Sequence, residues 1–202
     1  AIFYAVDNGA KVINMSFGKD YSPHKEYVDE AVKYAEKNDV LLVHAAGNDS
    51  KNLDVENNFP TASYKVPHGK KRARNWIEVG ASSWKEDEAF VASFSNYGKK
   101  EVDIFAPGVA IYSTVPEQEY KNSQGTSMAA PVVTGVAALL RAYYPQLSAV
   151  EVRQIILDSA VKYNDQVSKP GEEETVSFAS LSSTGGVVNA YEALKLAEQR
   201  AK

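Results

Sequence analysis

"KVINMSFGKDYSPHKEYVDEAVKYAEKNDVLLVHAAGN", residues 11–48, decides the fold. "KVINMSF" is a short apolar strand. The middle section predicts a helix: Pro23 stands near its start, and Val28, Ala31, Val32 and Ala35 recur at three- and four-residue spacing between charged positions. "VLLVHAA", residues 40–46, is nearly all apolar, the pattern of a strand covered on both faces. Strand, helix and strand of these lengths form a βαβ unit, so the sheet is parallel there. The expected class is α/β, in three layers, with helices on both faces of a mostly parallel sheet.

Working outward, Ile2, Ala5 and Val6 lie on one face of an opening helix, and Gly9 is placed to stop it. Residues 47–75 are polar, carry Gly47, Pro60, Pro67 and Gly69, and predict long loops. "WIEVGAS" is the next strand. "FVASFSNYG" and "VDIFAPG" read as short strands or turns, and "AIYSTV" as another strand. A helix is expected from Thr126, as its N-cap, to about Tyr144, ended by Pro145. A second helix, "SAVEVRQIILDSA", opens with a Ser148-x-x-Glu151 capping box. Residues 164–184 read as a polar loop or hairpin, and the last sixteen or so as a terminal helix. With no repeat and no low-complexity tract, one domain accounts for the chain.

The 202 residues are 44% hydrophobic, enough for one sizeable core. A formal charge of −4 argues against a nucleic-acid partner, and "GKKRAR" then reads as a solvated insertion loop. No apolar run approaches the roughly 20 residues of a membrane helix. The absence of cysteine excludes disulfides and thiolate chemistry but leaves the compartment open. No glycine-rich phosphate loop follows any predicted strand, which weakens a nucleotide-binding reading. The first residues carry no initiator Met, basic leader or cleavage signal, so the chain is expected to begin inside a domain.

Ser127 stands between "QGT" and a long run of small apolar residues. A first-turn serine sits among free amide groups and positive potential, which favours an oxyanion nearby. Pro131, four residues on, cannot donate to the Ser127 carbonyl. The helix dipole contributes only about 0.3–1 kcal/mol near a surface. A nucleophilic hydroxyl needs a general base as well. Taken alone, Ser127 reads as a capping serine, and Asn48, after Gly47, as a turn residue.

The segments are not alone. "VINMSFG", "VLLVHAAGNDS", "NFPTASY", "IEVGASS", "ASFSNYG", "VDIFAPGVAIYSTV" and "GTSMAAPVVTGVAALL" resemble, in order and along almost the whole chain, the subtilisin-like serine proteases. The resemblance implies the C-terminal two-thirds of one peptidase catalytic domain across residues 1–202. It implies Ser127 as nucleophile and Asn48 as side-chain oxyanion donor, with the Ser127 amide as the second donor. Ser16, Phe17 and Gly18 would form one wall of the pocket for the side chain before the scissile bond. Ala45, Ala46 and Gly47 would form the other, with Asn58 at the floor. That pocket is expected to prefer medium or large uncharged side chains. The backbone at Ser16–Gly18 would pair with an extended peptide. The resemblance further implies a polypeptide substrate, no required cofactor, and an extracellular, cell-surface or periplasmic setting. Structural calcium is common in the family but is unassigned here.

In this family the triad runs Asp, His, Ser, so both partners are expected upstream of residue 1. His24 and His68 read as surface residues, and His44, inside "LLVHAA", as a buried ring with hydrogen-bond partners. None matches the family's base, and neither Asp39, Asp49 nor Asp103 matches its aspartate. The expectation is a serine endopeptidase parent and an inactive isolated chain. Strand "KVINMSF" would then be an apolar edge inviting self-association, with an exchanged N-terminal helix as one form. The alternative is a non-catalytic peptide-binding or scaffolding module on the same fold.

Overall fold

Alternate residues of the strand Leu41–Ala45 face two different cores. Leu41, Val43 and Ala45 pack into the larger one, while Leu42 packs into the other. This is the two-sided burial that a continuous apolar run demands. The computed structural model describes residues 1–201.

Helix α1 (Ile2–Asp7) leads to strand β1 (Val12–Met15), helix α2 (Lys25–Lys37) and strand β2 (Leu41–Ala45). A hairpin of β3 (Ser63–Val66) and β4 (Gly69–Arg72) precedes β5 (Trp76–Ser82) and β6 (Ile104–Pro107). A second hairpin, β7 (Ile111–Val115) and β8 (Glu119–Ser123), runs into α3 (Thr126–Tyr143). Then come α4 (Ala149–Asp158), β9 (Val161–Lys162), a hairpin of β10 (Gln166–Ser168) and β11 (Thr175–Ser177), β12 (Gly186–Val187) and α5 (Ala190–Arg200). The main sheet has the order β1-β2-β5-β6-β12-β9. Its first five strands pair in parallel, and only β9 runs antiparallel at its edge.

Helices α3, α4 and α5 cover one face through Val133, Ala137, Leu140, Ile155, Ile156 and Ala193. Helices α1 and α2 cover the β1–β2 end of the other face through Val6, Val32 and Ala35, around Trp76. The three-layer α/β expectation therefore holds. The capping box of α4 forms as read: the Ser148 hydroxyl accepts from the Glu151 amide, and the Glu151 carboxylate accepts from the Ser148 amide.

Two readings need correction. Residues 47–75 are not loop throughout, because 63–72 form the β3–β4 hairpin. The basic run 69–74 is largely exposed, as expected of a solvated segment, but three of its cations are paired. Lys71 and Arg74 pair with Glu36, and Arg72 reaches Glu101 and Asp103. Second, the N-cap of α3 is Gly125, at φ +142, and Thr126 is its first helical residue. The Thr126 hydroxyl is drawn away from capping by stronger partners across the fold.

A buried acid braces the sheet under the site. Asp103 accepts from the Glu78 amide at 2.8 Å, from Arg72 at 3.1 Å and from Arg153 at 2.7 Å. Arg153 also donates to the Trp76 carbonyl at 2.6 Å. This tethers α4 and the β3–β4 hairpin to β5.

Candidate active site

Strand β2 ends where the chain must turn sharply over the sheet. Gly47 adopts φ +105, and a Cβ there would stand 2.4 Å from Asn96 Nδ2, so glycine is required. Asn96 shapes the turn: its oxygen accepts from the Asp49 and Lys51 amides, and its amide donates to the Ala46 carbonyl. The turn presents Asn48 at the carboxyl ends of the strands, where open α/β sheets bind ligands.

Asn48 and the start of α3 meet through Thr126. Asn48 Oδ1 accepts from the Thr126 amide at 2.9 Å and from the Thr126 hydroxyl at 3.0 Å. The same hydroxyl accepts from the Gly47 amide at 3.0 Å. A backbone N–H only donates, so the atom facing it is the carboxamide oxygen. That leaves the Asn48 NH₂ group for another acceptor, on a residue that is itself exposed. Ser127 follows immediately, half-buried, among first-turn amides that have no helical carbonyl behind them.

The backbone oxygen of Ser127 has its own constraint. Pro131 withholds the amide that would normally bind it. Ser16 Oγ donates to it instead, at 2.9 Å, and Asn14 Nδ2 donates to Ser16 Oγ at 2.9 Å. Ser127 Oγ lies 3.4 Å from the Ser16 carbonyl. Thr134, one turn beyond Ala130, places its hydroxyl 2.9 Å from Asn14 Oδ1. The end of β1 and the first three turns of α3 are thus stitched together.

Ser16–Gly18, after β1, and Ala45–Gly47, at the end of β2, face each other with Asn58 between them. Asn58 Nδ2 donates to the Ala46 carbonyl at 2.9 Å and the Ala45 carbonyl at 3.4 Å. Its Oδ1 lies 2.3 Å from where a Cβ on Gly18 would be. The Asn58 side chain therefore bridges the two segments.

Both ring nitrogens of His44 are engaged, by Glu78 and by the Phe17 carbonyl. His24 is the exposed N-cap of α2 and His68 lies exposed in the β3–β4 turn. None of the three is hydrogen-bonded to Ser127 among the described residues. Also among the described residues, no group of three or more His, Asp or Glu side chains is arranged to hold a metal ion.

Asn96, Asn14 and Glu78 were not singled out from the sequence. Each has a partner far along the chain, Ala46 at 50 positions for Asn96, Thr134 at 120 for Asn14 and His44 at 34 for Glu78, so local pattern carries no signal for it. Only "GTS" pointed toward Thr126, and it suggested capping.

The family model described as the subtilase family matches residues 1–180. The chain is 41% identical over 162 residues to the thermophilic serine proteinase of Bacillus sp. (strain AK1), covering 80% of this chain and 35% of that protein. It is 39% identical over 166 residues to subtilisin DY of Bacillus licheniformis, covering 81% of this chain and 54% of that protein. Among solved structures, the patellamide maturation protease PatA aligns with a TM-score of 0.73 at 30% identity, over 98% of this chain and 66% of that one. The chain thus spans about a third to a half of the length of these two curated relatives.

The Ser16 bond predicts a specific coupling. Ser16→Ala removes the donor to a carbonyl that Pro131 has orphaned, and should lower stability to urea by about 1–3 kcal/mol. In a Pro131→Ala background, where residue 131 regains an amide, most of that loss should vanish. An equal loss in both backgrounds would count against this account.

Proposed function

The chain belongs to the subtilase family, and from that premise we propose that the protein is a serine endopeptidase that forms its acyl-enzyme on Ser127. One observation carries the reading: the Asn48 carboxamide oxygen is hydrogen-bonded to the residue just before Ser127, which supports a shared cleft for the Asn48 amide donors and the Ser127 hydroxyl. In this reading Ser127 Oγ attacks the scissile carbonyl. The negative charge that develops on the carbonyl oxygen is met by Asn48 Nδ2 and the Ser127 amide. In subtilisin itself, loss of the side-chain donor costs about 10²–10³ in rate. The peptide lies extended along Ser16–Gly18.

The proton of Ser127 Oγ needs a base, and the described residues place no histidine there. We therefore read these 202 residues as inactive by themselves, with only the roughly 10³–10⁴ over water that binding and the oxyanion donors supply. The bridging carboxamide of Asn58 revises the expected specificity. A pocket closed by Asn58 suits a small uncharged side chain before the scissile bond, not a medium or large one.

Three outcomes check these statements. A fluorophosphonate probe should label Ser127 of the isolated chain no faster than an ordinary serine; labelling at protease rates would show that a base is present. Titrating ¹⁵N-labelled chain with N-acetylated tetrapeptides should shift the Asn48 side-chain amide and the Ser16–Gly18 amides together. Peptides ending in Ala should bind at least about tenfold tighter than those ending in Phe, and Asn58→Gly should close that gap, given the ~1.5–3 kcal/mol value of a buried large side chain. Signals that move elsewhere, or a preference for Phe in the unaltered chain, would overturn the assignment. The outer edge of β1, last in the sheet order, is also open to pairing with a second copy. Light scattering should then show a mass that rises with concentration, and a monomer throughout would refute it.

A further inference from the structure

His44 and Glu78 face each other in register across the parallel strands β2 and β5. The ring is 0% exposed and Glu78 only 5%. Nδ1 lies 2.7 Å from Glu78 Oε1, and Nε2 lies 2.8 Å from the Phe17 carbonyl oxygen. Trp76 Nε1 donates to the second Glu78 oxygen at 2.7 Å, and its ring packs 5.2 Å from the imidazole. A carbonyl oxygen accepts and cannot donate, so Nε2 carries a proton. The pair is then an imidazolium on a carboxylate, or a neutral imidazole accepting from a carboxylic acid. In both forms Nε2–H is aimed at Phe17.

Phe17 is the middle residue of the Ser16–Gly18 wall. Its side chain is exposed, so the segment is not anchored there by burial. Its carbonyl is turned inward to His44, while the Ser16 carbonyl faces Ser127 Oγ. Successive carbonyls of an extended chain point to opposite sides, so fixing one sets the others.

We infer that His44 is a positioning residue for substrate: gripped by Glu78, it holds the Phe17 carbonyl inward and thereby aims the Ser16 and Gly18 backbone groups at an extended peptide. This rests on the peptidase reading of the cleft.

The pair has a pH signature. Burial of the ring opposes its charge, but the charge and hydrogen bond of Glu78, together with the Phe17 carbonyl, outweigh it and raise the His44 pKa. Arg72 on β4 faces Glu78, with its own partners Asp103 and Glu101. Lys25 on α2, paired with Asp29, and Asp54, Glu56, Lys65, Lys70 and Glu101 line with Glu78 one cavity of about 400 Å³. The folded pKa lies above the unfolded value of about 6.5. The contribution of His44 is therefore complete below that pH and is lost as pH rises through the higher folded value. Both stability and peptide affinity should weaken as pH rises through that folded value, not as it falls.

The test uses the 202-residue chain and N-acetyl-Ala-Ala-Pro-Ala as the probe. Nitrogen-15 spectra of the imidazole at pH 7 should show His44 Nε2 protonated. His44→Ala should weaken peptide binding about tenfold and abolish the decline with rising pH. Glu78→Gln, close in shape and a check should His44→Ala fail to fold, should flatten the same pH profile. An unprotonated Nε2, or affinity and pH profile unchanged in both variants, would overturn the inference. Failure of the unaltered chain to bind the peptide would overturn the peptidase reading instead, and the ring spectrum would still decide the clamp.

Discussion

The Thr126 hydroxyl joins two parts of the chain that are 79 residues apart, accepting from the Gly47 amide and donating to Asn48 Oδ1. The placement of Asn48 beside Ser127 depends on that junction. It orients the Asn48 carboxamide, because the oxygen is consumed and only the NH₂ group remains outward. It also fixes the start of α3 against the end of β2, which places Ser127 beside Asn48. A helix N-terminus alone would give a weakly positive region worth a fraction of a kcal/mol to about one. The junction turns it into a site with a defined hydrogen-bond donor and a defined hydroxyl.

Pro131 extends the logic to the other side of the cleft. A proline in the second turn of a helix costs about 3 kcal/mol or more when its missing amide is needed. Here the orphaned Ser127 carbonyl is supplied by Ser16, so the disruption becomes an attachment between α3 and the end of β1. The wall that would receive a peptide is thereby tied to the residue that would attack it. Ser16 and Ser127 cannot drift apart without exposing an unpaired carbonyl.

Beneath the cleft the sheet carries charge. His44, Glu78, Asp103, Arg72 and Arg153 form a polar layer against otherwise apolar strands. Buried ion pairs are poor sources of net stability, because desolvation offsets most of the attraction, yet breaking one costs roughly 3–5 kcal/mol. Their value here is geometric: each carboxylate oxygen fixes a strand, a hairpin or a helix at a set distance from β5. The same geometry ends, through His44, on the carbonyl of Phe17.

The local and repetitive part of the structure is legible in the residues alone. The apolar run 40–46 required a strand buried on both faces, the spacing of Val28, Ala31, Val32 and Ala35 required a helix, and Ser148 with Glu151 marked a helix start. These follow from periods of two and 3.6 residues and from groups a few positions apart, and they settle an α/β fold with a parallel sheet. The order of motifs also pointed to Ser127 and Asn48. The tertiary structure alone decided that Thr126 bridges rather than caps, that the Asn58 carboxamide joins the Ala45–Ala46 backbone to Gly18, that 69–72 is a strand with Lys71 and Arg72 paired, and that His44 is clamped to Glu78. Each of those outcomes is a contest between local and distant hydrogen-bond partners. A hydroxyl, a carboxamide or an imidazole can satisfy either, and the distant partner wins only once the fold has brought it within about 3 Å and removed the water that would otherwise compete.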